Sequence, residues 1–177
     1  MIYNQMILFL MMTLLSGFTE SAYATSQDQL KKADVQLQRA IKEAEVSLGP
    51  HQPGSGWTKR HMQAVTDMLE GNEGPDFQKN DSALKEEEKG LLPLLNQIQK
   101  DLKSANSPHE IDQALDGTLF FIQQAVEQAK MSVAAKSIDE THSHARLAAG
   151  MLAAALGLGH TESPVTGNLE FVLRHIK

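Results

Sequence analysis

Apolar side chains recur at steps of three and four residues along most of this chain, which is the spacing of one face of an α-helix. The clearest run in the first quarter of the chain consists of Leu30, Ala33, Leu37, Ile41, Ala44 and Leu48. Segments that alternate apolar and polar residues, as β-strands do, are nearly absent. The pattern therefore predicts an all-α fold, a bundle of five to six helices.

Capping residues indicate where several of these helices begin. Ser26, Ser107 and Ser137 are each followed three residues later by Gln or Glu, the pattern of a capping box, so we expect helices to start at these serines. The third helix is less sharply bounded, because Gly90 and Pro93 interrupt its first half. Its start lies between residue 82 and residue 92.

The first 24 residues have the pattern of a signal peptide. An apolar run over residues 6–18 is followed by Ala-Tyr-Ala at residues 22–24, and we expect cleavage after Ala24. The run is shorter than the roughly 20 residues that cross a bilayer, so we expect no membrane span after cleavage. The mature chain, residues 25–177, would be a single domain in the periplasm or secreted. Because no Lys or Arg precedes the run, an N-terminal anchor that faces the periplasm is the alternative.

Composition excludes several classes of function. The chain has 22 acidic and 16 basic residues and a net charge of −6, which argues against nucleic acid as a partner. It contains no cysteine, which excludes disulfides, thiolate metal sites and covalently attached c-type haem. No known catalytic motif occurs, and we expect the protein not to be an enzyme.

Parts of the first half of the chain reappear in the second half. Residues 38–48 (QRAIKEAEVSL) align with residues 123–133 (QQAVEQAKMSV). After a gap of two residues, the pattern Thr-x-x-His at residues 58–61 aligns with the same pattern at residues 141–144. Any two amphipathic helices align to some degree, but periodicity does not require the shared threonine and histidine.

This alignment predicts an internal duplication, with one copy over about residues 26–104 and the other over about residues 107–177. A single helical hairpin cannot bury its own apolar face. We therefore expect the two copies to pack on each other, related by a pseudo-two-fold axis, with the two hairpins forming a central four-helix bundle.

A metal or haem site is one hypothesis that the repeat raises. The spacing of apolar residues after His61 and after His144 puts both imidazoles on inward faces, and Met68 and Met151 lie on the same faces two turns later. Imidazole and thioether side chains can bind copper, zinc or a non-covalent haem. The alternative is that both histidines are structural and hydrogen-bonded within the core.

The first interpretation of function is a non-catalytic bundle that binds a protein partner or a small ligand. Its recognition edge would be formed by polar loops at residues 49–57, 71–81 and 157–167. Trp57 and Phe77, which we expect to be exposed there, are the candidate partner contacts, unless they only close the ends of the bundle. The second interpretation is the metal or haem carrier.

Overall fold

The computed structural model describes residues 2–49, 54–78, 89–157 and 168–176, and for residues 2–24 it describes the helical backbone alone. Along these residues run six helices: α1 (Ile2–Ser47), α2 (Ser55–Glu70), α3 (Leu91–Ser104), α4 (His109–Ala134), α5 (Ile138–Leu156) and α6 (Leu169–His175). Within the described ranges, the one pairing of β type is an isolated bridge between Gly71 and Lys89. The prediction of an all-α bundle is confirmed.

Side-chain caps define the starts of two helices, and a glycine and a proline fit two further helix ends. At the start of α5 the Ser137 hydroxyl accepts a hydrogen bond from the N–H of Glu140 at 3.2 Å, as a capping box requires. Asn168 caps α6 by accepting from the N–H of Phe171 at 2.8 Å. Gly157 ends α5 in the left-handed conformation, with φ of 101°. The third helix begins at Leu91, so that Pro93 lies in its first turn, where a proline removes no helical hydrogen bond.

Two of the predicted caps are wrong. Helix α1 continues without a break through Ser26, whose side chain is buried, so this serine caps nothing. At the start of α4 the N-cap is Pro108, whose carbonyl accepts from the N–H of Ile111 at 3.0 Å. The helix therefore begins one residue later than expected, and the Ser107 hydroxyl donates to the Asp112 carboxylate at 2.6 Å instead.

Helix α1 joins the segment predicted as a signal peptide to the first helix of the core without an interruption. Within the described residues, no helix is both long enough and apolar enough to cross a bilayer. Cleavage after Ala24, and the cellular location that depends on it, stay predictions.

All six helices contribute to one continuous apolar core. Its largest fully buried side chains are Leu30, Leu37, Met62, Leu69, Leu91, Leu95, Ile98, Leu102, Leu115, Ile122, Leu152 and Leu169. Alanine is frequent among the buried side chains of α4 and α5 (Ala114, Ala125, Ala129, Ala145, Ala148 and Ala155), and such small residues allow two helices to approach closely.

Helices α1, α2, α4 and α5 form the centre of the bundle. Each of α1 and α4 packs against both α2 and α5. The two shorter helices lie across this core, since α3 contacts α1, α2 and α4, while α6 contacts α4, α5 and α1. Exchanging α1 with α4, α2 with α5 and α3 with α6 leaves this set of packed pairs unchanged.

The end of α2 and the start of α3 approach so closely that side chains are excluded. A Cβ atom on Gly90 would lie 2.2 Å from the backbone nitrogen of Gly71 and 2.3 Å from the carbonyl carbon of Glu70. Gly71 has φ of 86°, a conformation that few residues other than glycine adopt. Both glycines are therefore required by the backbone.

Two glycine substitutions should have opposite effects on stability. Gly90→Ala forces two backbone segments apart and should lower the free energy of unfolding by about 1–3 kcal/mol. Gly150→Ala, in α5, meets no atom within 4 Å and should raise it by about 0.5–1 kcal/mol, because alanine favours the helix. Urea unfolding followed by circular dichroism measures both, and a neutral Gly90→Ala would contradict the close approach.

Candidate functional site

The candidate ligand His61 lies in the seam between α1 and α2. Its Nδ1 atom donates a hydrogen bond to the Glu43 carboxylate of α1, and 16% of its side chain is exposed. On its other side the imidazole contacts the indole of Trp57, with ring centroids 4.3 Å apart. The Nε2 atom is therefore the ring nitrogen that remains for a metal.

The second candidate, His144, lies in the seam between α4 and α5. Its Nδ1 atom is 2.8 Å from the Oε1 atom of Gln128 on α4, and its side chain is half-buried. Gln128 aligns with Glu43, so the two histidines bond to aligned positions on the neighbouring helix. Both bonds are to side chains at the partly exposed edge of a seam and not within the core, and whether the histidines are structural stays a prediction.

The structure does not join the two imidazoles in one site. His61 faces α1 and His144 faces α4, in two different seams of the bundle. No hydrogen bond, ion pair or ring contact links the two residues, and the described ranges contain no group of three His, Cys, Asp or Glu residues that could hold a metal ion. The metal or haem site on these histidines stays a prediction that this arrangement does not favour.

The two methionines of that hypothesis serve as packing residues. Met68 is 5% exposed within the core. Met151 is half-buried and packs against the same core. Both positions suit a flexible apolar side chain that fills irregular space.

Buried hydroxyl groups form hydrogen bonds across each of the same two seams. In the first, Thr58 donates from its hydroxyl to the carbonyl of Ser47 at 3.1 Å. In the second, Ser132 donates from its hydroxyl to the carbonyl of Thr141 at 2.8 Å. All four side chains are buried. In the sequence alignment Ser47 matches Ser132 and Thr58 matches Thr141, so aligned residues pair in both seams, although the threonine donates in the first and the serine in the second.

The structure places Trp57 differently from the prediction. Because α2 begins at Ser55, Trp57 lies in a helix and not in the loop over residues 49–57. It is half-buried over His61, and its indole N–H donates to the carbonyl of Val46 at 3.4 Å. This contact closes the end of the first seam. A role in partner binding stays a prediction for Trp57.

Phe77 is also half-buried and packs against the core beside an open cleft of about 550 Å³. Of the loop predicted over residues 71–81, the part up to Gln78 is described, and residues 79–81 lie outside the described residues. For the loop over residues 157–167 the structure describes Gly157 alone. The prediction that these loops form a recognition edge is therefore not tested.

A cluster that the sequence analysis missed anchors the Phe77 loop to α4. The Lys130 ammonium lies 2.7 Å from the Glu70 carboxylate and 2.9 Å from that of Asp76. Burial alone would lower the pKa of Lys130, but the hydrogen bonds with Glu70 and Asp76 outweigh it and raise this pKa above 10.5. These partners are distant in sequence, and no local motif indicates the contact.

The buried carboxylate of Asp67 also holds the Phe77 loop in place. Asp67 is 1% exposed and accepts hydrogen bonds from the Gln63 amide at 3.0 Å and from the backbone N–H of Gln78 at 3.4 Å. The Gln63 amide also donates to the carbonyl of Asp76 at 2.8 Å. These hydrogen bonds position the backbone around Phe77.

Among the residues whose side chains the structure describes, four large apolar side chains of α1 and α4 are exposed: Val35 at 56%, Val46 at 37%, Phe120 at 56% and Met131 at 47%. The alignment of residues 38–48 with residues 123–133 pairs Val46 with Met131, and its extension without a gap towards the N-terminus pairs Val35 with Phe120. None of these four side chains belongs to the apolar core.

No protein-family model, curated protein or solved structure matches this chain.

Replacing Lys130 by methionine should leave the half-buried Glu70 without its cation. We expect Lys130→Met to lower the free energy of unfolding by about 1–3 kcal/mol at neutral pH. Because the pKa of Lys130 is raised in the folded state, its stabilising effect is present below pH 10.5 and is lost as the pH rises through the folded-state value.

Urea unfolding at pH 7 and at strongly alkaline pH measures this difference. Lys136→Met is the matched control, since Lys136 is exposed at the end of α4 and should change stability by less than about 0.5 kcal/mol. Equal effects of the two substitutions at pH 7 would contradict the anchoring role of Lys130.

Proposed function

We propose that this protein is an exported, non-catalytic helical module that binds a protein partner through the outer faces of α1 and α4. The observation that carries the proposal is the recurrence of exposed apolar side chains at aligned positions of the two copies. One exposed valine on a surface needs no explanation. Two aligned pairs, each more than a third exposed, indicate a surface that both copies share and that packing does not require.

An internal duplication is part of this proposal, and two observations support it. The set of packed helix pairs is unchanged when α1–α2–α3 is exchanged with α4–α5–α6. The contacts within the two seams also agree, since His61 and His144 bind to aligned positions, as do the buried hydroxyl pairs. The two copies would then be related by a pseudo-two-fold axis, which gives the module two similar outer faces.

The carrier function receives less support. Each imidazole already uses Nδ1 for a contact within its own seam, so each could offer one nitrogen to a metal or haem iron. Two nitrogens in different seams do not form one coordination shell, which for zinc normally has at least three protein ligands.

Site-specific photo-crosslinking tests the binding function. A photoreactive residue at position 35 or 120, in cells that produce the protein, should give an adduct of one defined mass at one or both positions. Arg60 and Ser143 are suitable controls, because they are exposed and occupy aligned positions on α2 and α5. Identical adducts at all four positions, or none at 35 and 120, would contradict the proposal.

Titration with Cu²⁺, Zn²⁺ and haemin separates the binding module from the carrier. A ligand that binds the folded state raises the Tm in a saturable way. We expect no saturable rise for this protein. A rise that disappears in the His61→Ala, His144→Ala double variant would establish the carrier, provided that it persists in the control with His109→Ala and His175→Ala, two exposed histidines.

A further inference from the structure

A groove runs between α1 and the start of α3, and nearly all of its polar lining is basic. It encloses about 620 Å³ and is lined by Lys31, Lys32, Val35, Gln36, Arg39, Lys89 and Leu94. The Gln36 amide donates to the carbonyl of Lys89 at 3.2 Å and so fixes the two walls relative to each other. We call this surface the α1–α3 groove.

The charge of the α1–α3 groove is opposite to that of the protein. Four of its seven lining residues are cationic and none is acidic, whereas the whole chain has a net charge of −6. Lys32 and Lys89 are exposed, and Lys31 meets Asp28 at 3.6 Å with both side chains more than half exposed, a pair that contributes little. Such a concentration of one sign attracts anionic groups.

The floor of the groove is apolar. Val35 is 56% exposed, and Leu94 is half-buried against the core. From Lys31 to Arg39 the groove follows α1 for eight residues, which is about 12 Å or two helical turns. A ligand that fits it must offer anionic groups at its edges and an apolar side chain at its centre.

We propose that the α1–α3 groove binds an acidic amphipathic helix of the partner protein. The inference rests on the proposed binding function and names the chemistry of the partner. Charge complementarity selects an acidic segment, and the exposed valine selects one with an apolar stripe, as in other grooves that accept a helix. The rim lysines then set the rate of association and its dependence on salt.

The aligned surface of the second copy lacks this chemistry. The positions that match Lys31, Val35 and Arg39 are occupied by Asp116, Phe120 and Gln124. The apolar position is kept, but the charge at its edge is reversed. The acidic helix should therefore bind beside α1 and not at the aligned surface of α4.

A labelled model peptide tests the inference on the full chain. The probe is a fluorescent peptide of about 14 residues, roughly four helical turns, with leucines along one face and glutamates elsewhere. We expect binding at low ionic strength that weakens as salt is added. The double variant Lys32→Glu, Lys89→Glu should weaken binding by about tenfold or more.

Matched variants give the result its specificity. Lys136→Glu with Arg146→Glu changes the net charge equally at exposed positions that do not line the groove, and at about 0.1 M salt, where the Debye length is about 10 Å, it should leave the affinity within about threefold of the original. Val35→Asp should weaken binding, whereas Leu147→Asp, which changes an exposed apolar side chain of α5 outside the groove, should not. Urea unfolding of each variant verifies that it is folded.

Several results would overturn the inference. If the two charge-reversing double variants weaken peptide binding equally, the net charge of the protein attracts the peptide and the groove does not. Binding to anionic vesicles in preference to the peptide would make the groove a membrane contact. Three glutamates, Glu86 to Glu88, directly precede Lys89 in the sequence. Peptide binding that appears only when all three are replaced by glutamine would mean that this acidic run occupies the groove. Crosslinks at position 35 or 120 without peptide binding would support the proposed binding function but contradict an acidic helix as its partner.

Discussion

The fold depends on one constraint, which is that each helical hairpin has an apolar face that it cannot bury alone. Helices α1 and α2 cover each other along one seam, as do α4 and α5, and the remaining apolar surface of each pair is covered by the other pair. The chain has no disulfide to compensate for incomplete packing. The two halves must therefore fold together, and α3 and α6 complete the core by lying across both.

Polar groups within the seams fix how the helices meet, since apolar faces alone allow them to slide. A buried hydroxyl that reaches a carbonyl on the opposite helix, as Thr58 and Ser132 do, loses its hydrogen bond if the register changes. The imidazoles of His61 and His144 act in the same way nearer the surface. The register of a hairpin thus gives a structural reason for a histidine at each of these two aligned positions.

Sequence reasoning succeeded where the determining interaction is local. Helical periodicity, and stop signals such as Gly71 and Gly157, involve residues within a few positions of one another, and these predictions are confirmed. The cap at Ser26 failed because a capping box is also compatible with a helix that continues on its N-terminal side. Lys130 could not be found, because its partner Glu70 is 60 residues away in the chain.

Exposure was the hardest property to read from the pattern. Val46 and Met131 align as apolar residues and fit a helical period, yet they lie at the edge of the apolar face and point to solvent. Trp57 and Phe77, expected at the surface, are half-buried because each covers the end of a helix seam or loop. An apolar residue at the border of a face satisfies the period whether it is buried or exposed, so only packing decides.

Aligned residues that packing requires agree between the two halves of the chain, whereas aligned residues that packing does not require often differ. The aligned residues that agree between the two halves of the chain, such as the buried hydroxyls and the seam histidines, are those that hold the hairpins in register. The aligned residues that differ lie on the exposed surface, where Lys31 matches Asp116 and Lys42 matches Glu127. Since the core tolerates either charge at such exposed positions, stability does not explain why one face is basic and the other acidic. Under the proposed function, this difference in charge directs an acidic segment of the partner to the outer face of α1 and not to that of α4.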